Sequence, residues 1–152
     1  MKLRKVKMDK PLTYIFTMIC AVILTGCNSE APQEELPDAE LVGTLWTLQA
    51  IEVAGDPDIL PGATKVYNIQ FFDDYSVEGR IDCNTHVGFF AFSEDSRIKL
   101  DHLVTTLVGC RPPELGYPYY QALRVVVSYE IRGNTLRLYS DMGSALKYRD
   151  MD

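Results

Sequence analysis

Cys83, His86, His102 and Cys110 are the residues of this 152-residue chain whose types suit reactive chemistry. Cys83 and His86 stand in a C-x-x-H spacing. A thiolate and an imidazole so placed, joined by a second pair, could hold zinc tetrahedrally. The second pair, His102 and Cys110, is spaced unlike the second half of a zinc knuckle. A disulfide between Cys83 and Cys110 is a competing use of the two thiols. Two buried cysteines serving as small core side chains are a third. Catalysis has less support. Asp82 and Asp101 each lie near a histidine, but no serine sits in a strand-turn-helix nucleophile elbow. There is no glycine-rich phosphate loop and no H-E-x-x-H. Asp73-Asp74 reads as a turn. No catalytic residue, metal or cofactor is predicted.

Cys27 has a different chemistry. It closes Leu24-Thr25-Gly26-Cys27, behind the uncharged run 11–26 and a start carrying Lys2, Arg4, Lys5, Lys7 and Lys10 against Asp9. A basic start, an apolar run and small residues before a cut are the parts of an export signal. The apolar part is short against the roughly 20 residues of a spanning helix. The pattern resembles the lipobox of bacterial lipoprotein precursors; the alternative is an uncleaved anchor helix. The resemblance implies cleavage before Cys27 and acylation there, with two or more chains making the anchor stable. Residues 1–26 are then a signal peptide, 27–40 a lipidated tether and 41–152 the folded domain. Export puts Cys83 and Cys110 in an oxidising compartment, and a bridge closing that loop adds on the order of 3–4 kcal/mol. Asn28, by resemblance to enterobacterial sorting rules, implies the outer membrane.

Without residues 1–26 the chain keeps 10 basic and 20 acidic residues, so its net charge moves from −6 to −10. Such a surface repels phosphate backbones and excludes nucleic acid as a partner. It also disfavours docking on anionic headgroups, so membrane contact must come through the lipid on Cys27. Residues 28–40 hold Glu30, Glu34, Glu35, Asp38 and Glu40, with Pro32 and Pro37 and no basic residue. That is a solvated spacer.

From Leu41 the pattern is mostly period two. Trp46, Leu48 and Ala50 alternate with Thr47 and Gln49, and the apolar phase then shifts to Ile51 and Val53, which predicts a bulge or bend. Tyr67, Ile69 and Phe71, the turn Asp73-Asp74, then Val77, Gly79 and Ile81 predict a hairpin. Val87 to Phe92 is a further strand, with Ile98 and Leu100 on one face after it. Tyr129 to Arg132 and Thr135 to Ser140 flank Gly133-Asn134 as a second hairpin, and Ser144 to Tyr148 is the last strand. From Pro118, apolar residues at 119, 122, 123, 126 and 127 trace a helical stripe, and the valines predict its end near Val126. The fold expected is mainly β: about eight short strands in a curved antiparallel sheet or barrel, covered by one helix.

Several of these residues together resemble the META domain, also called HslJ-like, of bacterial envelope lipoproteins. They are Leu45-Trp46-Thr47-Leu48, Phe71-Phe72-Asp73-Asp74 before Gly79, Asp82-Cys83-Asn84 with Gly88 and Phe90, Thr105-Thr106 with Cys110, Leu123, and Gly133-Asn134-Thr135-Leu136. The likeness spans about residues 41–150. His86 departs from it, standing where the family usually has an aromatic residue. The resemblance implies a small barrel-like fold with one helix, no enzymatic activity, and a loose link to heat shock, antibiotic tolerance and virulence.

The aromatic residues divide between core and contact. Phe90 and Phe92 share a strand face that Phe89 does not, and Tyr117, Tyr119 and Tyr120 cluster at the helix start. The function expected is a non-catalytic envelope lipoprotein that binds or stabilises another envelope component. The alternatives are an apolar-ligand carrier using the barrel interior and a metal-handling protein using Cys83, His86, His102 and Cys110. A barrel filled by Trp46, Ile69, Phe71, Ile81, Leu136 and Leu138 would leave no room for the carrier's ligand.

Overall fold

The computed structural model describes residues 38–93, 95–109 and 115–151. The signal segment, Cys27, most of the expected tether and Cys110 lie outside them. The strands are β1 (Leu45–Glu52), β2 (Tyr67–Phe71), β3 (Ser76–Ile81), β4 (Asn84–Ser93) and β5 (Arg97–Thr105), then β6 (Val126–Arg132), β7 (Thr135–Ser140) and β8 (Ala145–Asp150). One helix, α1 (Gly116–Arg124), lies between β5 and β6. All neighbours are antiparallel and the sheet closes in chain order, with β1 pairing β8 from Trp46 opposite Asp150 to Glu52 opposite Ala145. Among the described residues no helix is long and apolar enough to cross a membrane.

Alternation explains the strands. Each inward residue removes apolar surface from water while its neighbour stays wet, and closure leaves few backbone groups on an edge. Trp46, Ile69, Phe71, Ile81, Leu136 and Leu138 are all buried. The Phe71 and Phe90 rings meet edge to face, 5.1 Å between centroids. These six buried side chains occupy interior positions that the carrier reading would need for its ligand.

The expected phase shift is a bulge in β1 between Leu48 and Ala50, after which Ala50 and Ile51 are both buried. Strand β4 begins at Asn84, three residues before the expected Val87, because Asn84 and Thr85 still pair with Ile81 and Arg80. The helix starts at Gly116 and ends at Arg124, and Val126 already opens β6. The stripe from Tyr119 to Val126 is real as burial but passes from helix into strand, since β-branched valines favour the pleated conformation. Residues 38–40, within the expected tether, are already held by the fold. Asp38 accepts a hydrogen bond from the Tyr129 hydroxyl (3.2 Å) and from the Leu41 N–H (2.9 Å).

The joints of the barrel are unequal. Strands β4 and β5 pair along most of their length, whereas β5 and β6 register at Arg97 opposite Ser128 alone. Helix α1 crosses nearby, and Tyr120 donates its hydroxyl to the Leu103 carbonyl of β5 (2.8 Å).

Candidate functional site

Strands β3 and β4 are joined by Asp82-Cys83, with Ile81 opposite Asn84. Asp82 lies in the left-handed region (φ 58°), which aspartate tolerates, and its carboxylate pairs with Lys65 rather than a histidine. Cys83 is exposed in this turn, which removes it from the buried-thiol reading.

Asn84 starts a clasp. Its side-chain oxygen accepts hydrogen bonds from the Val108 N–H (2.7 Å) and the Thr106 hydroxyl (3.0 Å), and its amide nitrogen donates to the Val108 carbonyl (3.3 Å). The Thr85 N–H donates to Thr106 Oγ1 (3.1 Å), and the Thr85 carbonyl accepts from the Thr105 hydroxyl (3.0 Å) and the Thr106 N–H (3.0 Å). Asn84, Thr105 and Thr106, three of the residues singled out by resemblance, thus form one network that carries β5 beyond its last strand residue to Val108.

Gly88 belongs to the same region. It sits at a bulge in β4 between Val87 and Phe89. A Cβ there would lie 2.8 Å from Leu103 Cδ2 and 2.9 Å from the Asp101 carbonyl oxygen, so glycine is required for β5 to come this close. Trp46 lies apart, buried in the core, with Nε1 donating to the Leu41 carbonyl (3.2 Å).

A cleft of about 340 Å³ opens beside the clasp, lined by Asn84, Thr105, Thr106 and Leu107 on one side and Tyr117 and Tyr120 on the other. The threonine hydroxyls donate within the clasp, so the arrangement shapes a surface rather than activating a nucleophile. Asn84→Ala removes the hydrogen bonds to Thr106 and Val108 and should cost about 2 kcal/mol in urea denaturation. It should also speed amide exchange at Val108; unchanged exchange there would contradict the clasp.

The described members of the metal set, Cys83, His86 and His102, do not form a common site. His86 points into the barrel and is 1% exposed, whereas His102 is exposed on β5 with φ 50°. Among the described residues no three His, Cys, Asp or Glu side chains converge. Inward and outward phases of neighbouring strands separate what the sequence spacing suggested. Asp101 accepts the His102 backbone N–H (2.9 Å) and the Lys99 ammonium (3.0 Å), and the Lys99 hydrogen bond is the main cause holding its carboxyl below the ordinary value.

His86, a candidate metal ligand in the sequence and a departure from the family pattern, is instead enclosed by the barrel. Its ring lies over Gly79 of β3, where an added Cβ would collide with it, and packs edge-on against Tyr119 of α1, 6.1 Å between centroids. A glycine inside an otherwise alternating strand was the available signal, since it often marks a close approach. Burial pulls the His86 imidazole down from 6.5 to about 4.

The outer face of β4 and β5 is apolar. Val87 is registered with Val104, Phe89 follows two residues along β4, and all three are exposed, Phe89 by 55%. Leu107 and Val108, displayed by the clasp, are exposed as well. Glu78, Lys99 and Asp101 stand beside Val87, Phe89 and their neighbours on β3 and β5. Phe90, by contrast, is buried and Phe92 half-buried, as the alternation predicted.

An eight-stranded antiparallel barrel closed in chain order, with one helix between β5 and β6, defines a small β-barrel domain. The META domain model matches residues 39–151, and the chain belongs to that family. In fold, the chain is similar to a Burkholderia xenovorans protein solved by NMR (TM-score 0.62, 19% identity, 73% of this chain and 83% of that one). It is also similar to a DUF4847 family protein from Bacteroides vulgatus (TM-score 0.53, 15% identity, 74% and 96%). No curated protein matches the chain in sequence.

Proposed function

We propose that this META domain is the binding part of a non-catalytic envelope lipoprotein, held by lipid on Cys27 and docking another envelope protein through the outer face of β4 and β5. The exposed strip of Val87, Phe89 and Val104, with charged neighbours, carries the reading. An apolar centre with a polar rim is the anatomy of a protein-protein interface, and aromatic residues are favoured anchors there. Leu107 and Val108 extend the strip. Location rests on the lipobox-like segment, with the outer membrane as the destination that Asn28 implies. A Cys83–Cys110 disulfide belongs to the same reading. The clasp holds Val108 against Asn84, so the chain needs to cover only two further residues to bring Cys110 back towards the exposed Cys83.

A photoreactive amino acid at Phe89 tests the surface in intact envelopes. It should yield a discrete adduct with another envelope protein, weakened by Cys27→Ser, which releases the chain from the membrane. The same probe at Arg149, exposed on β8, should not. Equal adducts at both positions, or none at Phe89, would reject the surface. Mass spectrometry of the extracted protein should show an acylated Cys27 N-terminus and no alkylatable Cys83 or Cys110.

A further inference from the structure

His86 is a titratable group that the surface reading leaves unused. It is 1% exposed, and both ring nitrogens are buried with no hydrogen-bond partner. The walls around it are specific. On the β3 side stands Gly79, whose missing side chain makes room for the ring. On the β5 side is Thr105, registered with His86, its hydroxyl committed to the Thr85 and Thr106 carbonyls. From α1 comes Tyr119, fully buried, its hydroxyl donating to the Asn68 carbonyl and receiving the hydroxyl of Tyr148. Tyr67 packs edge to face on Tyr119, 5.4 Å between centroids. The titratable groups gathered here are phenols, and burial raises Tyr119 and Tyr148 above their ordinary value, so neither supplies a negative charge. The nearby carboxylates are engaged elsewhere, Asp82 with Lys65 and Asp101 with Lys99.

We propose that His86 is an acid-sensitive latch: the closed barrel cannot hold a proton on its ring, so acid loosens helix α1 from the strands it covers. An unpaired cation in an apolar interior is driven to reach water or partners. The wall that gives way should be the weakest. Gly79 and Thr105 belong to strands laddered on β4, so moving them breaks sheet hydrogen bonds. Helix α1 is nine residues long, has no side-chain N-cap and carries no acidic residue in its first turn. Helices this short depend on packing rather than on their own propensity. Loosening it would withdraw Tyr119 from His86 and open the buried tyrosine cluster to water.

The sign follows from linkage. The closed state takes up a proton only near pH 4, whereas an opened state titrates at the ordinary 6.5. Between those values the open form binds more protons, so acid favours it. Above about 6.5 the latch is shut, and below about 4 the effect saturates.

Hydrogen exchange followed by mass spectrometry on the full chain in detergent, corrected for intrinsic rates, tests the latch. From pH 6.5 to 4.5 the opening constant of peptides covering 116–124 should rise roughly 40-fold in all. Peptides from β2 and β7 should stay protected. His86→Phe should flatten the helix profile, and His102→Gln should leave it unchanged. Helix and strand peptides opening together, or a slope that survives His86→Phe, would overturn the latch. Should His86→Phe fail to fold, NMR titration of the wild-type His86 ring decides: an inflection far below 6.5 supports the latch, and one near 6.5 overturns it.

Discussion

Trp46→Ala should destabilise the domain by roughly 3–5 kcal/mol, the range for truncating a large buried aromatic. Trp46 is 2% exposed in β1, opposite Ile69 of β2 and Asp150 of β8, where the barrel closes. The substitution leaves a void between three strands and deprives the buried Leu41 carbonyl of its indole donor. Small domains have a total stability of about 5–15 kcal/mol, so the variant should lose a large part of its folded population. Urea denaturation gives the number, and Trp46→Phe, which refills most of the space, should recover about half of it. Native tryptophan emission should be blue and protected from iodide. Red, quenchable emission would place the indole at the surface and return Trp46 to the contact reading.

Gly79→Ala should be comparably severe although it adds a single methyl group. The new Cβ would fall inside the van der Waals envelope of the Asn68 carbonyl oxygen, with His86 Nε2 2.7 Å away. Overpacking ordinarily costs 1–3 kcal/mol, and the fixed backbone here puts the expected loss near 3 kcal/mol or above. His86→Ala in the same chain should return part of it, because the ring can be removed but the carbonyl cannot. Gly62→Ala is the comparison: its Cβ would meet only a lysine side chain at 3.4 Å, and the effect should stay within about 0.5 kcal/mol. Equal effects at positions 62 and 79 would show that the ring and strand β2 can yield.

Strand content was legible because inward positions of a filled barrel must be apolar. Trp46, Ile69, Phe71 and Leu138 announce themselves by alternation, and Phe89 separates from Phe90 for the same reason. The helix boundaries were less legible, since Tyr119, Leu123 and Val126 satisfy a helical period even though the last belongs to a strand. Asn84, Thr105 and Thr106 stood out only through family likeness. Their joining depends on pairing across twenty or more residues, and no local period encodes that. Among the described residues, His86 and His102 part company because spacing along the chain ignores which side of a sheet a residue faces. The His86 socket joins Gly79, its partner across the β3–β4 hairpin, to Tyr119 of the distant helix, and only tertiary packing brings in the helix.

The thin joint between β5 and β6, Arg97 opposite Ser128 with the Tyr129 N–H donating to the Ser96 carbonyl (2.9 Å), changes how the molecule is best pictured. Trp46 and Asp150 lie side by side, so the two ends of the folded chain meet inside a well-matched pair of strands. Opening the thin joint would leave a continuous ribbon in the order β6, β7, β8, β1, β2, β3, β4, β5. The termini would then occupy the centre of that ribbon, and the middle of the sequence would form its two margins. In topological terms the first and last strands share a well-sewn seam. The polypeptide's natural place for a circular permutant to begin is the one that is barely stitched.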